Sequence, residues 1–513
     1  MESELRKKIL IIGLDGATWR LIKPWAESNY LPNFKKLMDN GSYGNLKSTY
    51  PPITPPAWTS MTTGKNPAKH GVFGFLKQEN GKFRLYQSND IKEPEIWDYL
   101  HSIKSIIVNL PISNPPKKIK NIMVSGMYTP SLKSNFAYPE EIKKEIIEKF
   151  PDYRFELSWD EYTGNKSKFI EELYKMTENR IKLFHHFIDT KEWDFIFYVF
   201  IGTDRIQHIY WDNDELLKFY SYIDTFLGEV IEKIEKRNES INLFIVSDHG
   251  FNKINKTIDI NNFLHQNDFL FYKKDESKQK QFISNSGINK DRLTKLLKNI
   301  GLLGMYKKIP DNIKNYLSKK VPGETNIIND ISMEKSVAYS QGFGTIYFNS
   351  DQCRNEKIKN RIKELKDPDN NKNIIKEIHL KEKLFSGKFV NQAPDIVLIP
   401  HEGYKFSRNS NGEIINDSNF EKADHEMNGI FLAYGPDIKK KFQINANIYD
   451  ITPTILHYFG YSIPDTMDGR VLSEIFMWDG QIKSNLIDIK IQENIEQKRA
   501  KNRIDKLKKS SKL

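Results

Sequence analysis

Leu243-Phe244-Ile245-Val246 runs straight into Ser247-Asp248-His249-Gly250: an apolar stretch of strand length, then an adjacent carboxylate and imidazole, then a glycine where the chain can turn. A buried strand end is a costly place for two polar groups unless something there satisfies them, so the motif reads as a site at the carboxyl edge of a sheet. The pattern recurs elsewhere. Ile9-Leu10-Ile11-Ile12 leads to Asp15, and the run Phe195 to Phe200 leads to Asp204 and His208. Further apolar runs at Ser105 to Val108, Asn121 to Val124, Gly344 to Phe348, Asp395 to Ile399 and Gly429 to Ala433 alternate with amphipathic segments of helix length. That alternation predicts an α/β fold, a three-layer sandwich whose mainly parallel central sheet is covered by helices on both faces.

With 513 residues the chain can bury a large core, as one big domain with insertions or as two. Hydrophobic residues at 38% and charged residues at 28% fit a soluble globular protein, and no run approaches the roughly 18 uninterrupted apolar residues of a membrane helix. Met1 to Lys8 carries both charge signs and enters the first apolar run without the cleavage site of a secretory signal, so a cytoplasmic location is expected. The lone Cys353 offers neither an internal disulfide nor a thiolate cluster. A formal charge of +11 points towards nucleic acid at first sight, but residues 481–513 hold ten Lys/Arg against four Asp/Glu and so supply six of the eleven. No aromatic-interleaved basic motif or nucleic-acid module accompanies the charge. The tail is expected to be helical or flexible. Ile491, Ile495, Ile504 and Leu507 give it a thin apolar stripe that can meet an acidic surface or simply stay solvated. Between about 270 and 322 the composition turns Lys- and Asn-rich and weakly helical, which reads as an insertion, either a cap over the carboxyl edge or a surface helical pair. Arg354 to Lys376 reads as a charged surface helix and loop, and residues 1–480 as the catalytic domain.

Breaking a phosphoester requires charge neutralisation around the phosphoryl oxygens, an activated nucleophile and help for the leaving oxygen, and two divalent cations about 4 Å apart supply all three. Such a pair needs carboxylates and imidazoles, and Asp15, Asp204, His208, Asp248, His249 and His425 offer them. Taken singly, Asp15 reads as a helix cap and His425 as a surface histidine. Asp204 and His208, four apart, share one face of any helix that contains them. Their co-occurrence at strand ends is the stronger signal. Thr54, in Pro51-Pro52-Ile53-Thr54-Pro55-Pro56-Ala57, precedes a helix expected to open at about Pro56. There backbone N–H groups and the positive end of the dipole favour a phosphate, and the plainer alternative is a helix cap. Contact with a metal is the natural route to an alkoxide.

Placed in order, these segments resemble the type I phosphodiesterase/nucleotide pyrophosphatase branch of the alkaline phosphatase superfamily, and within it the proteins described as predicted phosphohydrolases or phosphomutases. The matching text is Ile12 to Gly16, Pro52 to Gly71, Val108 to Pro111, Val124 to Met127, Thr203 to His208, Ser247 to Phe251, His425 with Gly429, Asp450 to Thr454 and Met467 to Arg470. The resemblance implies an alkaline phosphatase-like fold with one zinc held by Asp204, His208 and His425. A second would be held by Asp15, Asp248, His249 and the Thr54 oxygen, with manganese as the alternative metal. It implies a phosphothreonyl intermediate on Thr54 and a small phosphoester substrate such as a nucleotide or nucleotide sugar. A departure is Phe75, which stands where relatives of this branch carry an Asn that binds a phosphoryl oxygen, so an apolar wall is expected there. Sulfatases need a Cys or Ser followed by x-Pro-x-Arg, which Thr54-Pro55-Pro56-Ala57 lacks. A phosphomutase or phosphomonoesterase of the same superfamily and a catalytically idle metal-binding scaffold are the competing readings.

Overall fold

In the computed structural model the described residues are 7–79, 82–157, 162, 165–237, 239–273, 328, 330–349, 355–407, 412–418 and 421–477. The basic tail and nearly all of the segment expected as an insertion lie outside them. In chain order the framing strands are β1 (Lys7–Leu14), β2 (Ser42–Lys47), β3 (Ser105–Leu110), β4 (Ile122–Ser125), β5 (Ala137–Tyr138), β6 (Phe195–Phe200), β7 (Ser240–Val246), β8 (Gly250–Asp259), β9 (Ala338–Gly342), β10 (Thr345–Phe348), β11 (Ile375–Leu380), β12 (Ile396–Pro400), β13 (Gly403–Ser407), β14 (Ile415–Asp417), β15 (Ala423–Glu426), β16 (Asn428–Tyr434), β17 (Phe442–Gln443) and β18 (Ala446–Asn447).

Ten of these make the central sheet, ordered β17-β2-β16-β7-β1-β6-β3-β4-β5, with β18 also on β2. The middle five, β7, β1, β6, β3 and β4, are parallel throughout. Antiparallel neighbours flank them, β16 on β7 and β5 on β4. Both faces are covered, and β6 shows why its sequence is apolar at every position. Its Phe195 and Phe197 meet Phe459 and Trp58 on one face, whereas Tyr198 and Phe200 meet Phe184 and Phe226 on the other. Side chains alternate along a strand, so a strand covered twice leaves neither parity open to polar residues. The covering elements are the Thr54–Thr63 and Ile451–Tyr458 helices on the first face and the Lys166–Thr190 and Asp214–Glu235 helices on the second.

Two of the expected strands belong elsewhere. Gly344 to Phe348 and Asp395 to Ile399 correspond to β10 and β12, which join a separate antiparallel sheet, β9-β10-β12-β11. It has a core of its own around Ile258, Phe263, Leu264, Ile346, Ile396 and Leu398. A short β-branched run looks the same in either kind of sheet. The connection decides, and the two-residue link Phe343-Gly344 between β9 and β10 permits only an antiparallel pair. The charged helix expected after Arg354 is Asn355–Lys363, and it buries Ile358 and Ile362 in that second core. Gly429 to Ala433 does enter the central sheet, as β16, but runs antiparallel there.

Candidate active site

β7, β1 and β6 lie side by side, and their register sets Val246, Gly13 and Val199 at one level. The chain therefore leaves all three strands at a common edge, and this is why side chains distant in sequence meet. Asp15 comes directly after β1, and Gly16 at φ +68° turns the chain away behind it, where a Cβ would come within 2.5 Å of the Phe251 ring. Asp248 and His249 come just after β7. Beyond β6 the Gly202–Tyr210 helix presents Asp204 and His208 a turn apart on one face. His425 arrives from the far end of the chain because β8 starts directly after His249 and pairs with β15, placing Phe251 opposite His425. The His249 and His425 rings consequently stack with centroids 3.8 Å apart.

Two buried groups of metal-capable side chains result: Asp204, His208 and His425, and Asp15, Asp204 and His249, with ligand atoms within 4.8 Å of one another in each. Asp204 is common to both. Its Oδ1 lies 3.3 Å from His425 Nε2 and 3.5 Å from His208 Nε2. His249 Nε2 lies 3.2 Å from Asp248 Oδ2 and 3.7 Å from Asp15 Oδ1, so Asp248 borders the second group. Each imidazole is anchored through its other nitrogen. His208 Nδ1 donates to Ala423 O at 3.1 Å, His249 Nδ1 to Gly250 O at 3.1 Å and His425 Nδ1 to Pro52 O at 3.2 Å. A carbonyl only accepts, so Nδ1 carries a proton in each ring, and Nε2 is the atom turned to the carboxylate oxygens. Nε2 and a carboxylate oxygen repel each other unless a proton or a metal cation stands between them.

The carboxylates are frustrated in the same way. Asp15 Oδ1, Asp204 Oδ1 and Asp248 Oδ2 are buried and accept no hydrogen bond from the described protein groups. Burial, and then the Asp204 charge, push Asp15 well above the usual carboxylate range, and burial followed by Asp15 does the same to Asp248. Burial pulls Asp204 upward too, but His208 and Arg205 outweigh it and leave that carboxyl well below the usual range. His249 is driven well down by burial and by His425. A divalent cation in each group would resolve every one of these conflicts, and the set of imidazole and carboxylate donors suits it. The two clusters are consistent with a binuclear metal site.

Thr54 borders this pocket. It is buried, and its Oγ1 lies 3.4 Å from His249 Nε2. The helix opens at Thr54 itself, two residues earlier than expected, with Ile53 as the capping residue and no side-chain cap. Thr54 is therefore no cap, since its hydroxyl faces the imidazole. The expected cradle of backbone N–H groups is not there. Pro55 and Pro56 have no amide hydrogen, and the Ala57 N–H is engaged by Ile53 O at 3.2 Å. The helix end contributes its dipole and at most the Thr54 amide.

The type I phosphodiesterase / nucleotide pyrophosphatase family matches residues 9–429, a span that holds all of these side chains. The chain belongs to this family. It is a type I phosphodiesterase family enzyme with a candidate buried Asp/His metal site. Among solved structures it resembles human ectonucleotide pyrophosphatase/phosphodiesterase 5 at 14% identity, with 92% of this chain and 100% of that one covered and a TM-score of 0.54. The murine protein matches at 16% identity, covering 89% and 96% of the two chains, with a TM-score of 0.51. An inactive form of the murine protein in complex with AMP matches at 14% identity over 89% and 96%, with a TM-score of 0.52. At these identities the likeness concerns the fold. No curated protein matches.

Three neighbours of this phosphodiesterase-family site are not among the candidate residues read from the sequence. Arg205 lies half-buried beside Asp204 and bonds its Oδ2 through Nη1, while its other face is held by Glu156 Oε1 at 2.9 and 3.0 Å. Trp58 Nε1 donates to Asp15 Oδ2 at 3.2 Å. Phe343, at the β9–β10 link, stacks on His425 with centroids 6.0 Å apart. Arg205 stands inside the motif around Asp204 and could have been found there, whereas Glu156 and Phe343 adjoin the site only through the folded chain.

Proposed function

We propose that this chain is a two-metal phosphodiesterase, of nucleotide pyrophosphatase type, in which Thr54 is the nucleophile. The observation that carries the reading is the convergence beside the Thr54 hydroxyl of three anchored imidazoles and three carboxylate oxygens without a hydrogen-bond partner among the described groups. Asp204, His208 and His425 would hold one cation, and Asp15, Asp248, His249 and the Thr54 oxygen the other, zinc being favoured by the nitrogen and oxygen donors and manganese the alternative. When bound, the ions would neutralise charge on the phosphoryl oxygens and make the Thr54 hydroxyl acidic enough to lose its proton near neutral pH.

Thr54 Oγ1 attacks phosphorus, an Oγ–P bond forms, and the bond to the leaving alcohol oxygen breaks. Water then attacks the same phosphorus from the vacated side and releases Thr54. Support for a threonine comes from the murine relative, which was solved with AMP as an inactive threonine-to-alanine variant. The AMP in that structure also favours a nucleotide or another small phosphodiester as substrate here. The catalytic unit would lie within residues 1–480 and the protein in the cytoplasm, where Cys353 stays reduced.

Elemental analysis of the purified protein, with bis-p-nitrophenyl phosphate hydrolysis by wild type and Thr54→Ala, tests it. Two metal equivalents are expected, and the rate should fall by about three orders of magnitude or more in the variant. Equal rates in the two proteins would remove Thr54 from the mechanism.

A further inference from the structure

Two stretches that stand out in the sequence, Val108 to Pro111 and Val124 to Met127, supply none of the metal-capable side chains of the two clusters. They end the neighbouring strands β3 and β4. Asn109 is a bulge at that end: the pairing with β4 skips from Val108 to Leu110, and Asn109 takes φ +62°. A bulge re-aims a side chain, and asparagine is among the few residues that tolerate this backbone. Gly126 lets the end of β4 close against it, since a Cβ there would come within 2.3 Å of Asn109 O. The side chain aimed in this way is buried, and its Oδ1 accepts the hydroxyl of Tyr153, which is buried too.

Tyr153 opens a strap, Tyr153 to Leu157, that is neither helix nor strand. Without a ladder its main-chain oxygens depend on side chains, and Arg180 of the Lys166–Thr190 helix serves them. Its Nη2 donates to Phe155 O at 2.8 Å and to Arg154 O at 3.4 Å. Arg180 is only 1% exposed, and a guanidinium taken so far from water is costly unless its hydrogen bonds matter to the fold. Phe155 wedges the strap edge-on between Phe136 and Tyr153, at 5.1 and 5.5 Å. The next residue is Glu156, whose Oε1 takes Nε and Nη2 of Arg205, while Arg205 Nη1 bonds Asp204.

We propose that Asn109 and Arg180 are positioning residues of the metal site, fixing the strap so that Glu156 holds Arg205 on Asp204. The proposal rests on the two-metal reading above. Asp204 belongs to both clusters, so a change in its orientation reaches both ions at once. The two anchors act from behind, one on each side of the strap, and only through Glu156 and Arg205.

Affinities for zinc and manganese are to be measured by competition with a chromophoric chelator in wild type, Glu156→Gln, Asn109→Gly, Tyr153→Phe, Arg180→Met and Arg180→Lys, with the unfolding temperature of each metal-depleted protein alongside. Glycine suits the φ at position 109 and phenylalanine removes only the Tyr153 hydroxyl, so these two variants carry the test if Arg180→Met fails to fold. Glu156→Gln and Arg180→Met should each weaken metal binding about tenfold, and Asn109→Gly and Tyr153→Phe about threefold, with Arg180→Lys recovering much of the loss. Added to Glu156→Gln, Asn109→Gly and Tyr153→Phe should change the affinity no further, because the strap then has no carboxylate to aim. A purely structural role moves the unfolding temperature and leaves the affinity alone. Full affinity in Glu156→Gln, Asn109→Gly or Tyr153→Phe, or losses that simply add in the double variants, overturns the positioning role and leaves the two-metal reading standing. A wild type that binds neither metal overturns both.

Discussion

Arg205 shows how a residue that ligates nothing can set the geometry of ligands. Its guanidinium bonds Asp204 Oδ2, which leaves Oδ1 facing the Nε2 atoms of His208 and His425. It is also a positive charge set against a pocket of three buried carboxylates, and it opposes the rise in the Asp15 pKa. Partners that orient metal ligands from behind are commonly worth one to two orders of magnitude in affinity. Arg205→Ala is therefore expected to weaken metal binding by about tenfold or more, measured by competition with a chromophoric chelator. Arg205→Lys should recover part of the loss, since the charge returns without the fork that reaches both Asp204 and Glu156. Unchanged affinity in both variants would reduce Arg205 to a packing role.

At the scale of an element, β8 and the helix after it join the two cores. β8 starts at the site, beside His249, and ends at Asp259, which caps the Ile260–Gln266 helix by accepting the Asn262 amide at 2.9 Å. Asp259 is buried, its Oδ2 has no partner among the described groups, and burial pushes its pKa from 3.8 up to about 7. Above pH 4 the unfolded chain gives up this proton while the folded chain retains it until near pH 7, so the group's contribution to stability falls as pH rises through that window. Asp259→Ser keeps a capping oxygen and removes the charge. Urea unfolding should show the variant gaining on wild type between pH 4 and pH 8, by up to about 4 kcal/mol. A constant difference across that range would mean that Asp259 titrates normally.

For the whole molecule, the site is a place where folding brings like charges together before any ion is bound. Removing the metals with a chelator should lower the unfolding temperature by roughly 5 °C or more, and adding back zinc or manganese should restore it. An unfolding temperature indifferent to chelation would argue against an ion bound at the carboxylates. Much of this arrangement is legible in one dimension. The apolar runs and the Asp15, Asp204, His208, Asp248 and His249 beyond them mark the strands and their carboxyl ends, because a strand buried on both faces must be apolar throughout and can place polar groups only where it stops. Which strands share a sheet is another matter. The runs at β10 and β12 look no different from those at β1 and β7, and their place in a second, antiparallel sheet depends on a two-residue link and on long-range packing. The sharing of Asp204 between two clusters, the clamp by Arg205 and Glu156, the loss of amide donors ahead of Ala57 and the arrival of Phe343 over His425 are likewise decisions of the tertiary structure. Composition and spacing determine where the chain can tolerate a polar side chain, but distance and direction between side chains far apart in sequence arise only when strand register and the two cores bring them into contact.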